Sequence, residues 1–73
     1  MAQTRMLKHI DTIIGSQFNK GDIIDSRIMH GRIMDTYGTK YLPNRPAIAM
    51  IMGRSKLVTR VSSKHEVVEF KVL

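Results

Sequence analysis

Met6, Leu7, Ile10, Ile13 and Ile14 recur at spacings of three and four, the repeat that gathers apolar side chains onto one stripe of a helix. Lys8 and Asp11 fall toward the other side, and Gly15-Ser16 is a stop signal. A first helix is therefore predicted over about 3–15, its stripe facing the core. Phe18-Asn19-Lys20-Gly21 reads as a turn, with Asn19 or Gly21 near the cap of the next helix. Asp22 and Asp25 would complement the dipole of that helix in its first turn, and it is predicted over about 21–35. Its faces are mixed, with Ile24 and Ile28 grouped and Met29 and Ile33 elsewhere. Gly31 either ends it or admits a close neighbour; a stop near His30 and one at Gly38 both fit.

Thr39-Lys40-Tyr41-Leu42 suits a short extended strand. In Pro43-Asn44-Arg45-Pro46, Asn44 is a good N-cap and Pro46 fits a first turn, where its missing N–H costs nothing. A third helix is predicted over about 44–53, closed by Gly53. Ile48, Ile51 and Met52 should be buried, and Ala47, Met50 and Arg54 should face outward. After that the period changes to two. Val68, Phe70 and Val72 alternate with Glu69 and Lys71, as a half-buried strand requires, and Leu57, Thr59 and Val61 make a matching alternation. A hairpin of strands at about 57–62 and 67–72 follows, closed through Ser63-Lys64-His65-Glu66. The expected register sets Val61 against Val68, Thr59 against Phe70 and Leu57 against Val72. It also places Arg60 beside Glu69 on the outer face as a charge pair. The fold class is α+β, three helices and a C-terminal hairpin in one domain over 1–73.

Charge changes the picture most. The 30 residues from Thr36 to His65 contain no Asp or Glu, and they carry Lys40, Arg45, Arg54, Lys56, Arg60 and Lys64. These six basic residues match the net charge of +6 of the whole chain, because the remainder, with six basic and six acidic residues, balances. A localised basic field without acidic counterweight attracts polyanions, above all nucleic-acid phosphates. With no cysteine there is no disulfide, thiolate zinc site or thiol catalysis. No apolar run approaches a membrane span, and the N-terminal stretch lacks the apolar segment of a secretory signal. The expectation is a soluble, cytoplasmic, nucleoid-associated protein without membrane partners.

The element order and two segments resemble winged helix-turn-helix domains of the small microbial, often archaeal, type. Tyr41-Leu42-Pro43-Asn44-Arg45-Pro46-Ala47-Ile48-Ala49-Met50-Ile51-Met52-Gly53-Arg54-Ser55 is similar to the recognition-helix segment of that family. There a Leu-Pro-polar entry precedes a helix closed by a basic-Ser turn into the wing. Phe18-Asn19-Lys20-Gly21-Asp22-Ile23-Ile24 resembles the entry to the second helix. The resemblance implies a third helix in the major groove of duplex DNA and a hairpin wing on backbone or minor groove. Asn44, Arg45, Ala47, Met50 and Arg54 would line the groove-facing surface, with Lys64 and His65 at the wing tip. With Lys40, Lys56 and Arg60 from the basic window, these form the expected DNA-binding set. Ala47 and Met50 stand where Gln, Asn or Arg would make bidentate base contacts, so modest sequence specificity is expected.

Other chemistry is poorly represented. His9, His30 and His65 lie in separate elements with no metal-ligand spacing, so neither metal nor cofactor is expected. Ser26, Ser55, Ser62 and Ser63 have no His–acid arrangement, and Ser63 near His65 suits a turn. Asp22 and Asp25 suit a helix start better than acid–base work. Gly53-Arg54-Ser55-Lys56 lacks the preceding glycine and the strand–loop–helix order of a phosphate loop. An enzyme is not expected. Phe18, Tyr37, Tyr41 and Phe70 form no interleaved stacking platform, which ranks RNA lower. Met29, Met34, Met50 and Met52 support an alternative, because exposed methionines make adaptable protein contacts. That alternative is a winged-helix interaction module or homodimer in a transcription or replication assembly. The leading expectation is duplex DNA binding in transcriptional regulation or chromosome organisation.

Overall fold

A computed structural model describes the backbone of residues 2–64 and 67–73 and side chains within 5–61 and 68–73. The order is helix α1 (Ala2–Gln17), strand β1 (Ile23–Asp25), helices α2 (Ser26–Tyr37) and α3 (Arg45–Met52), then strands β2 (Val58–Lys64) and β3 (Val67–Val72). The strands form one antiparallel sheet in the order β1-β3-β2. The α+β class, the three helices and the C-terminal hairpin agree with the sequence reading.

In α1 the stripe of Met6, Ile10, Ile13 and Ile14 is buried, with Leu7 packed at its edge. The helix runs two residues past the expected stop. Gly15 takes no left-handed conformation, and the Thr12 and Ser16 hydroxyls donate back to the Lys8 and Thr12 carbonyls at 2.9 and 2.7 Å. The Gln17 side chain then joins α2 through Thr36 and Arg32, which holds the last turn in place.

The second helix begins at Ser26, not near residue 21. Ile23–Asp25 is instead the strand that pairs with Lys71, Phe70 and Glu69 of β3. Asp22 stands outside the helix and accepts from the Asn19 backbone N–H at 2.8 Å, closing the turn in which Gly21 has φ 93°. Asp25 is the true N-cap, extended at φ −128° and accepting from Ile28 N–H at 2.9 Å. α2 passes through Gly31 and stops at Gly38, whose φ of 84° breaks the helical hand. A Cβ on Gly31 would meet open space, so no neighbour packs closely there. The buried face of α2 is Met29 and Ile33, whereas Ile28 is 40% exposed. The expected strand at 39–42 is absent: Leu42 N–H turns back to the Thr39 carbonyl, and β1 fills the third place in the sheet.

α3 agrees closely with expectation. Asn44 caps it through Ala47 N–H at 3.0 Å, Pro46 lies in its first turn and Gly53 ends it. Ile48, Ile51 and Met52 enter the core with the α1 and α2 stripes and Ile24, Val58, Phe70 and Val72 of the sheet.

The hairpin register differs by one residue as far as Arg60 and by two beyond it, where Ser63 rather than Val61 pairs with Val68. Val58 pairs with Val72, Thr59 with Lys71 and Arg60 with Phe70; past a bulge at Val61, Ser62 pairs with Glu69. A one-residue slip exchanges the faces of a strand. Val58 is therefore buried, whereas Leu57 and Val61 are 40% and 48% exposed. The Arg60–Glu69 cross-strand pair is not formed.

Candidate nucleic-acid interface

The slipped register decides what the hairpin offers to α3. Directly paired residues of an antiparallel ladder point to the same side of the sheet. Arg60 thus shares the inner side with Phe70, rather than the outer side with Glu69. Its aliphatic stem can lie along the sheet while its exposed guanidinium reaches water. The result is an open cleft of about 370 Å³ with α3 as one wall and the hairpin as the other. Pro46, Ala49, Met50 and Gly53 supply the helix wall, and Val58, Arg60, Val68 and Phe70 the sheet wall.

The helix wall has its own sequence signal. Positions 46, 49, 50 and 53 recur at three and four, a second stripe beside the core stripe of Ile48, Ile51 and Met52. Its members are small or flexible, so the helix backbone lies near the cleft surface. Met50 is 61% exposed, as its outward assignment requires.

The ten expected contact residues separate into groups. Met50 and Arg60 line the cleft. Arg45 precedes Pro46 at the start of α3, and Arg54 and Lys56 follow Gly53 at its end; all three are exposed. Asn44 is committed by its side-chain oxygen to capping α3, which leaves its amide N–H groups to donate. Ala47 and Lys40 do not belong to this surface. Both line a separate groove toward α1 and the end of α2, so Ala47 is not on one face with Met50. The Lys40 ammonium lies 5.4 Å from the Tyr41 ring centroid. The Lys64 backbone continues β2 opposite Val67. The Lys64 side chain and all of His65 lie outside the described residues.

Three of the acidic groups, Asp11, Asp22 and Asp25, are tied inward. Asp22 and Asp25 accept from backbone N–H groups, and Asp11 accepts from the Ser55 hydroxyl at 2.7 Å. Asp25 also meets Arg27 at 3.4 Å. These carboxylates serve turns, a cap and a tether, whereas the side chains of Lys40, Arg45, Arg54, Lys56 and Arg60 are exposed. Among the described residues no three His, Asp or Glu side chains converge as a metal site would require, and no helix is long and apolar enough to cross a membrane. His9 is stacked on Tyr37 with ring centroids 3.9 Å apart.

Comparison of the chain with family models, with characterised proteins and with solved structures finds no match.

Proposed function

We propose that this chain is a winged-helix protein that binds duplex DNA, with α3 in the major groove and the β2–β3 hairpin as a wing on the backbone. The observation that carries the reading is Arg60 on the α3 side of the hairpin, across one cleft from Met50. Helix and hairpin then form one continuous surface, with Arg45, Arg54 and Lys56 adjoining its helix wall along the chain. The element order, with a hairpin directly after the third helix, supports the winged-helix assignment. The positive end of the α3 dipole favours phosphate, although Pro46 has no N–H and those of Ala47 and Ile48 are taken by Asn44. Ala49, Met50 and Gly53 offer a duplex no bidentate donors, only apolar contact of the kind that meets a thymine methyl. Affinity would therefore rest on phosphates and specificity would be modest, as suits transcriptional regulation or chromosome organisation.

The exposure of Met50 favours a second reading, in which the same face binds a protein or a second copy. A duplex titration at two salt concentrations, with a sizing measurement, separates the two. With about 0.9 of log–log slope per neutralised phosphate and about four to six contacts, a fourfold rise in salt should weaken binding by roughly two to three orders of magnitude. A flat salt response, or a dimer without DNA affinity, would reject the first reading.

A further inference from the structure

The groove on the other side of α3 is larger, about 680 Å³, and it is built differently. Its apolar lining includes Met6 of α1, Ile33 of α2, Leu42 and Pro43 of the α2–α3 loop, and Ala47 and Ile51 of α3. Its polar groups are the basic side chains Arg5, His9 and Lys40, with Tyr37 and Tyr41. Among the described lining residues there is no carboxylate. This volume lies in the range of small-molecule sites, which are apolar with a few orienting polar groups.

The basic side chains are placed by the fold. Arg5 and His9 stand one turn apart on α1, so they share a face. The His9–Tyr37 stack fastens that face to the last turn of α2, and Lys40 follows three residues later. One term opposes an anion here. The C-terminal end of α2 carries about half a negative charge, and Gly38 at that end lines the groove. Two full positive charges, on Arg5 and Lys40, outweigh it.

We propose that this groove binds one small apolar organic acid, its hydrocarbon body on the lining of Met6, Ile33, Leu42 and Ile51 and its carboxylate at the rim of Arg5, His9 and Lys40. The proposal is independent of what α3 binds on its other side. An acid fits better than a neutral apolar molecule, because the rim supplies donors and positive charge that a neutral molecule leaves unused.

The test is an amide-shift titration of the ¹⁵N-labelled chain with 2-naphthoate, and in parallel with the isosteric neutral 2-naphthamide. Saturable naphthoate shifts centred on Gly38, Ala47 and Ile51 are expected, with affinity at least about tenfold above naphthamide, as a charge-assisted contact gives. The double substitution Arg5→Gln, Lys40→Gln lies on exposed side chains and spares the core. It should abolish that preference while leaving naphthamide affinity and the melting temperature unchanged. Equal affinity of the two probes, shifts scattered over basic residues elsewhere, or no saturable binding would each overturn the proposal. So would groove shifts that follow protein concentration alone, which would assign the groove to a second copy. Occupation by an acidic amphipathic peptide without naphthoate binding would overturn it as well.

Discussion

Ser55 is among the few buried polar side chains, 7% exposed, and its hydroxyl is used twice. It donates to Asp11 Oδ1 at 2.7 Å and accepts from Leu57 N–H at 3.1 Å. The first bond ties the turn after α3 to α1. The second fixes the direction in which the chain leaves that turn, so that Val58 rather than Leu57 enters the core. A residue that reads as an ordinary turn serine thus sets the phase of β2. Ser55→Ala should destabilise the protein by about 1–3 kcal/mol, toward the lower figure because Asp11 is partly exposed and can rehydrate. Urea unfolding measures this, and an unchanged midpoint would show that the tether contributes nothing. Two glycines give opposite expectations. Gly31→Ala adds a Cβ into open space within a helix and should stabilise by about 0.5–1 kcal/mol. Gly38→Ala forces a side chain onto φ 84° and should destabilise by about 1 kcal/mol or more. Paired thermal melts would show midpoints moving apart; a rise for both would contradict the assigned end of α2.

At the scale of elements, legibility followed how local the determining contact was. α1 and α3 were readable because their stripes, the Asn44 cap and the Gly53 stop lie within a few residues of one another. The start of α2 was not. Asp22 and Asp25 both resemble helix-start residues, and only pairing with Lys71, Phe70 and Glu69, more than 40 positions away, makes Ile23–Asp25 a strand. The hairpin was half readable. β3 showed one clear phase, with Phe70 and Val72 buried. β2 offered two, because Leu57 and Val58 are both apolar and start opposite alternations. The Ser55 tether chooses between them, and the bulge at Val61 absorbs the extra residue. Either phase of β2 leaves Phe70 inward. Phe70→Ala should therefore cost roughly 3–5 kcal/mol, a large share of the stability of a 73-residue chain. A variant that melts with the parent would mean that Phe70 is not a core residue.

Over the whole molecule, charge and shape carry different shares of the functional reading. The acid-free window was visible in the sequence, and its described basic side chains are exposed. What the sequence could not show is that the window serves two surfaces. Lys40 and Ala47 turn toward the α1 groove, whereas Met50 and Arg60 line the cleft between α3 and the hairpin. Helix periodicity suggested that Ala47 and Met50 were companions, yet three residues on a helix are about 60° short of a full turn. With α1 and α2 on one side of α3 and the hairpin on the other, that angle puts them in different grooves. The Arg60 position depends on a register that no local pattern determines. The most direct measurement is therefore the salt dependence of duplex affinity for Arg60→Gln beside Lys8→Gln. Both changes remove one exposed positive charge, but Lys8 lines neither groove. DNA docked across α3 and the hairpin predicts weaker binding and a slope lower by about one unit for Arg60→Gln, and parental values for Lys8→Gln. Equal losses from the two variants would mean diffuse attraction to a basic protein, and an unaffected Arg60→Gln would contradict the docking surface itself.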